Sequence, residues 1–354
     1  MPPQSIVLIV PGRLETRTGG YEYDRRIAAG LRNLGYSVEI HEIDDGFPYP
    51  TPAALDEASG LLASIPSGTS VLIDGLALGA MPEQIEREAS RLRVIALVHM
   101  PLASEVGIDP EVAAALEAGE RRALAAAALI VVTGTTTAGV LARYGVTGRR
   151  VVVVEPGTDR APLAQGSDGP ILHLLCVATL NPGKGHDILF RALATVRQRN
   201  WRLTCAGSVE RSPATVERLR ALLRTLDLEK QVSVAGELDA DAIARSYDTA
   251  DLFVLATLHE TFGMAVAEAL ARGLPVVATA TGSIPELVLG NSAGIVVPPG
   301  NVDRMTEALS LVLGDAALRA QLASGARAAR ERLPSWEDAS RRMAAALERL
   351  TTND

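Results

Sequence analysis

The sequence predicts two α/β domains in tandem, each a parallel sheet with helices on both faces. Three observations predict it. Short apolar runs without polar alternation recur along the chain, the pattern of strands covered on both sides. Stretches of helical length separate them. The rhythm stops once, over residues 155–170, and then starts again.

In the first half the strand-like runs are Ile6–Val10, Val38–His41, Val71–Ile73, Val94–Val98, Leu129–Val132 and Val151–Val154. Tyr21–Leu34 and Thr135–Tyr144 read as helices that end on Gly35 and Gly145, glycines suited to the left-handed turn after a helix. The segment EPGTDRAPLAQGSDGP, rich in Gly, Pro and Asp, reads as a linker. Beyond it the runs are Ile171–Ala178, Leu203–Ala206, Val232–Val234, Leu252–Leu255, Val276–Ala278 and Ile295–Val297. The tail is helical: Val302–Leu313, Leu318–Arg332 and, after Pro334, Trp336–Leu350. The expected domains are residues 1–165 and 166–333, with 334–354 a terminal helix. In such sheets ligands bind beyond the carboxyl ends of the strands, so the functional residues belong in the loops that follow them.

Composition narrows the function. Hydrophobic residues are 47% of the 354 and aromatics only 3%, so both cores are built from Ala, Leu and Val. A net charge of −8 argues against a nucleic-acid partner, which requires a basic face, and offers anionic membranes no general attraction. Cys176 and Cys205 sit inside apolar runs and read as buried strand thiols, without the spacing of a disulfide framework or a metal knuckle. The N-terminus MPPQSIVLIVPG lacks a basic region before its short apolar run, unlike a signal peptide. No stretch approaches the ~18 apolar residues of a membrane span. The expectation is a cytoplasmic protein with no transmembrane segment.

The most informative stretch is LHETFGMAVAEALARGLPVVA, residues 258–278. A strand precedes it and a strand follows. Glu260 stands at the loop end, Phe262-Gly263-Met264 opens a helix, Glu268 lies inside it, and Gly273 with Pro275 closes it. A helix start offers amide donors and a positive dipole end to phosphate, and Gly263 allows close approach. Carboxylates accept hydrogen bonds from vicinal hydroxyls, so two of them flanking a phosphate site suit a sugar at one end and a ribose at the other. The simpler alternative is that Glu260 complements the dipole and Glu268 pairs with Arg272 at i,i+4. Lysine occurs only at Lys184 and Lys230, the other basic residues being Arg, which singles out Lys184 in its Asn181-Pro-Gly turn.

This stretch resembles the E-x₇-E motif of the retaining family 4 glycosyltransferases, which have the GT-B fold. VATLNPGKGHDILFRAL, VSVAGELDADAIARSYDTADLFVLAT and ATATGSIPELVLGNSAGIVVPPGN resemble the flanking segments, so the likeness covers roughly residues 171–332. Over the first domain it is weaker and rests on Gly19-Gly20, on His99 in VHMP and on the PGTD linker. The resemblance implies two Rossmann-like domains facing a cleft, with the terminal helix crossing back to the first. It implies that Glu260 contacts the donor sugar, Glu268 the ribose and Lys184 the diphosphate, and that His99 sits near the anomeric carbon. Gly19 and Gly20 would face phosphate or sugar, and Gly236, Glu237 and Leu238 the base. The family's second cation is replaced here by Thr179, whose place Arg13 or Arg17 could take, and its Gly-Gly before Ile-Pro-Glu is Gly282-Ser283. The polar, aromatic segment from Arg13 to Arg26, with Tyr21 and Tyr23, marks the acceptor side and favours a soluble or heterocyclic acceptor over a lipid, though small molecule, glycan and lipid all stay open.

The implied reaction is sugar transfer from a UDP- or GDP-sugar with retention, without a cofactor or metal. Asp239-Ala240-Asp241 spells the D-x-D of metal-dependent transferases, but at the start of a helix it reads as a cap. A dinucleotide oxidoreductase predicts G-x-G-x-x-G after the first strand, where this chain has PGRLETRTGG. A GT-B epimerase or phosphorylase, or a non-catalytic nucleotide-sugar-binding protein, remains the alternative.

Overall fold

The computed structural model describes residues 5–352, with side chains to residue 350. The chain forms two compact units: one runs to Gly157 and takes in the tail from Pro334, and the other is Thr158–Leu333. The division falls inside the Gly- and Pro-rich segment.

The first unit holds β1 (Ser5–Pro11), α1 (Gly19–Asn33), β2 (Ser37–Ile43), α2 (Pro52–Ser64), β3 (Ser70–Asp74), α3 (Gly75–Leu78), α4 (Pro82–Glu88), β4 (Arg93–Val98), α5 (Pro110–Ala126), β5 (Leu129–Val132), α6 (Thr135–Arg143) and β6 (Val151–Val153). The second holds β7 (Leu172–Val177), α7 (His186–Thr195), β8 (Trp201–Ala206), α8 (Pro213–Thr225), β9 (Val232–Gly236), α9 (Ala240–Asp248), β10 (Leu252–Leu255), α10 (Met264–Ala271), β11 (Val276–Thr279), α11 (Ile284–Leu289), β12 (Gly294–Val297), α12 (Val302–Gly314) and α13 (Ala316–Arg330). The last helix, α14 (Trp336–Thr352), belongs to the first unit.

Every strand pairing is parallel. The orders are β2-β1-β3-β4-β5-β6 and β12-β11-β10-β7-β8-β9. Each order reverses once, between β1 and β3 and between β7 and β10, and at such a switch point the loops diverge to leave a ligand crevice.

Alternation along the strands builds a core on each face. Val7 and Ile9 of β1, with Val71, Ile73 and Ala96, pack on Leu62 of α2 and Leu124 of α5. Ile6, Leu8, Leu72, Ile95 and Leu97 point the other way, onto Ile27 and Leu31 of α1 and Met343 and Leu347 of α14. Without α14 that face would be open to water. Pro334 precedes the helix, and Ser335 and Asp338 cap its start reciprocally: Asp338 N–H donates to Ser335 Oγ at 3.1 Å and Ser335 N–H to Asp338 Oδ2 at 3.2 Å.

The glycine stops form as expected. Gly35 and Gly145 take φ of 91° and 79°, and the next N–H in each case returns to the helix, Tyr36 to Leu31 O and Val146 to Leu141 O, both at 3.0 Å. One boundary differs. The sequence starts the helix at Tyr21, but α1 begins at Gly19, because Thr18 caps the helix by accepting the Tyr21 N–H.

A Cβ on Gly30 of α1 would lie 1.8 Å from Ser340 Oγ of α14. Gly30→Ala should therefore cost about 1–3 kcal/mol through overpacking in urea unfolding, with part recovered by adding Ser340→Gly. An unchanged midpoint would mean that α14 is not held so closely.

Candidate functional site

In the second unit β10 and β7 are hydrogen-bonded neighbours, with Leu252 opposite Leu174. Their exit loops therefore run side by side. Leu258 N–H donates to Gly183 O at 2.8 Å and the Thr257 hydroxyl to the same carbonyl at 3.1 Å. Gly185, at φ 61°, presses so close that a Cβ would sit 2.1 Å from Ala256 O. This lacing brings together two side chains 76 residues apart in the chain: Lys184 Nζ donates to Glu260 Oε2 at 2.8 Å, both groups half-buried.

The helix beyond them starts at Gly263, φ 97°, and no side chain caps its first turn. A Cβ on Gly263 would meet Ile284 Cγ1 at 2.9 Å, so only glycine fits here. Phe262 is buried; its side chain belongs to the core, and it can offer a ligand only its backbone. Gly282, at φ 54°, lies against the Glu260 loop, where a Cβ would come within 2.4 Å of Thr261 O. Its neighbour Ser283 has φ −86° and needs no glycine, so serine is sterically harmless there. Burial lowers the pKa of His259 beside this pair.

Glu268 lies further along α10. Its Oε2 accepts from the Tyr247 hydroxyl at 2.9 Å, and Arg272 stacks over the Tyr247 ring at 4.3 Å while donating to the Glu268 carbonyl oxygen at 3.1 Å. Thr179, at the end of β7, and Gly236, Glu237 and Leu238, at the end of β9, lie on the same carboxyl edge. Asp239 caps α9 by accepting the Ala242 N–H at 2.8 Å, the role expected of it.

The first unit gathers a second group at its own switch point. His99, after β4, directs Nε2 at Asp24 Oδ1 of α1 at 2.9 Å and at Asp74 Oδ2, the last residue of β3, at 3.4 Å. Gly20 leaves room for the ring, since a Cβ there would be 3.3 Å from His99 Cδ2. Both carboxylates are buried, and Asp24 Oδ2 has no hydrogen-bond partner. Burial first, and then the neighbouring Asp24 carboxylate, push the Asp74 pKa up to about 7. Burial works against charging His99, but Asp24 overrides it and raises the imidazole's pKa. Among the described residues these three also group ligand-type atoms, within 4.8 Å of one another, in the way a cation would require.

The acceptor-side residues fare unevenly. Arg13 is exposed on the loop after β1. Tyr21 is half-buried and its hydroxyl donates to Pro11 O. Tyr23 is 1% exposed, donates to Val154 O at 2.9 Å and meets the His99 and Trp336 rings edge-on. It is a core residue that steadies His99, with no surface for an acceptor, which corrects the sequence expectation.

Residues 160–329, almost all of the second unit, match the family model of the glycosyl transferases, group 1. A D-inositol 3-phosphate glycosyltransferase of Xylanimonas cellulosilytica is 31% identical over 244 residues, 64% of this chain and 58% of that protein. One from Kineococcus radiotolerans is 34% identical over 215 residues, 53% of this chain and 48% of that protein. The matches thus span about half the length of these curated relatives. Whole-chain likeness comes from solved structures. The sucrose-phosphate synthase of Thermosynechococcus elongatus superimposes with a TM-score of 0.83 at 21% identity, covering 99% of this chain and 100% of that one. Anabaena Alr3699/HepE, in complex with UDP and glucose, superimposes with a TM-score of 0.78 at 17% identity, covering 98% and 99%. The fold is GT-B. No helix among the described residues is long and apolar enough to cross a membrane.

The raised pKa values of Asp74 and His99 have one consequence for stability. The folded chain holds protons that the unfolded chain has released, so stability should fall as pH rises from about 4 through about 7. Asp74→Asn keeps an acceptor for the Leu76 N–H and removes the buried charge. Its melting temperature should depend less steeply on pH over that range, and the His99 titration followed by NMR should move to lower pH. An unaltered slope would mean that Asp74 does not carry the proton.

Proposed function

We propose that this protein is a retaining, metal-independent glycosyltransferase of the family 4 kind, moving a sugar from a UDP- or GDP-sugar to an acceptor hydroxyl. One observation carries the reading: the Lys184–Glu260 pair at 2.8 Å, at a strand-order reversal and beside a helix start that no side chain caps. The group 1 match over residues 160–329 supports it.

In this reading Lys184 leaves Glu260 when the donor arrives and forms a charge-assisted bond to the diphosphate. The helix-start amides bind the same phosphates, and Glu260, released, accepts from the sugar hydroxyls. Glu268 accepts from the ribose. As the bond from the anomeric carbon to the phosphate oxygen breaks, negative charge grows on the diphosphate, where Lys184 and the dipole of α10 meet it. The acceptor oxygen bonds to the anomeric carbon, and its proton passes to the departing phosphate oxygen. The products are the glycosylated acceptor and the nucleoside diphosphate. Because the leaving phosphate guides the acceptor to its own face, the configuration is retained and no protein nucleophile is needed. The name of the curated relatives makes a phosphorylated cyclitol the first acceptor to try.

The two glutamates should separate experimentally. Glu268→Ala should weaken free nucleoside diphosphate about ten- to a hundredfold by calorimetry, the loss of a hydrogen bond to a charged group. Glu260→Gln should slow turnover while leaving that affinity unchanged or tighter, because it frees Lys184. Equal weakening in both variants would refute the division of roles. Proton NMR of the first product from an α-linked donor, with EDTA present, should give an α-linked product. A β-linked product, or activity that needs added Mn²⁺, would overturn the mechanism.

A further inference from the structure

Tyr247 of α9 makes none of the donor contacts proposed for Lys184, Glu260 and Glu268. It is fully buried on α9, with its ring stacked on Phe253 of β10, centroids 6.1 Å apart and planes 14° apart. The Arg272 guanidinium covers the ring at 4.3 Å. The hydroxyl reaches α10, donating to Glu268 Oε2 at 2.9 Å and lying 3.3 Å from Ala265 O. Burial and the adjacent Glu268 carboxylate raise the tyrosine's pKa, so the hydroxyl keeps its proton and remains a donor.

A glutamate on a helix surface normally samples several rotamers. Freezing such a side chain at a binding interface costs about 0.5–1.5 kcal/mol. Here one carboxylate oxygen accepts from the hydroxyl of a buried tyrosine whose ring packs against both Phe253 and Arg272. The carboxylate plane is thus set before any ligand arrives. Arg272 contributes twice, pressing on the ring and bonding the Glu268 carbonyl oxygen.

We propose that Tyr247, clamped by Arg272, is a positioning residue that pre-orients the Glu268 carboxylate for the ribose diol and so sets discrimination between ribo- and 2′-deoxyribonucleotides. This rests on the assignment of Glu268 to the ribose. Tyr247 touches no substrate; it acts through Glu268. Without its hydroxyl the carboxylate swings, and the ribose loses most, because a two-point contact to vicinal hydroxyls depends on orientation more than a single contact does.

Calorimetry with UDP, 2′-deoxy-UDP, GDP and 2′-deoxy-GDP tests this. The wild-type protein should favour the ribo form of whichever base it binds. Tyr247→Phe should weaken that ribonucleotide about 3- to 10-fold and leave the deoxy form nearly unchanged, so the ratio falls. Arg272→Met, on a partly exposed side chain, should shift the ratio in the same direction by less, and it keeps the test alive if Tyr247→Phe fails to fold. In a Glu268→Ala background Tyr247→Phe should have no further effect, since coupled residues are not additive. A wild-type protein indifferent to the 2′-hydroxyl would refute the ribose assignment itself. A wild-type preference that survives both Tyr247→Phe and Arg272→Met, or additive losses in the double variant, would refute the positioning role alone.

Discussion

The reversal of strand order between β7 and β10 is the constraint on which the candidate site depends. The loop after β7 has the loop after β8 on one side, as strands laid down in sequence require. The chain then crosses back, and β10 takes the position on the other side of β7. Lys184 and Glu260 become neighbours only through that crossover. Three glycines then set the spacing: Gly185 against Ala256, Gly263 against Ile284 and Gly282 against Thr261. Each lies at positive φ where a side chain would collide, so the backbone around the ion pair is fixed by sterics as much as by hydrogen bonds. The resulting edge holds a cation, a carboxylate and an uncapped helix start within one short stretch of surface.

The first unit solves a different problem at its own switch point. Two buried carboxylates and one imidazole carry more negative charge than burial tolerates, and the excess is met by protons held at Asp74 and His99. Tyr23 and Gly20 shape the ring's slot without bearing charge. The second unit uses a lysine in a half-buried pair, where water still helps to solvate the charges. The two groups are thus electrostatically distinct: one retains protons, the other is a half-buried ion pair.

Much of this was legible in the sequence. Apolar runs locate the twelve strands of the described residues; the central ones are buried on both faces and have no polar alternation to confuse them, whereas the edge strands β2 (SVEIHEI) and β9 (VSVAG) do alternate. Gly35 and Gly145 mark helix ends because only a left-handed turn closes them. Asp239 reads correctly as a cap from its place before a helix. Contacts between distant segments were not legible. No spacing rule joins Lys184 to Glu260, or Asp24 and Asp74 to His99, because sheet order rather than sequence distance makes them neighbours. Tyr23 was expected on the acceptor side but is buried, and its i,i+4 relation to Ile27 and Leu31 already marks the inner face of α1. The strength of the Tyr247–Glu268 contact was equally hidden, since Tyr247 sits on one element and Glu268 on another.

In the proposed function a nucleoside diphosphate binds at the edge formed by Lys184, Glu260 and the start of α10. Hydrogen-exchange mass spectrometry with and without the nucleoside diphosphate, in EDTA, tests it most directly. Protection should appear in two separate peptides, one spanning residues 181–185 and one spanning 258–268, with both effects lost in Lys184→Ala. Protection confined to other loops, or no protection at a concentration that raises the melting temperature, would contradict it.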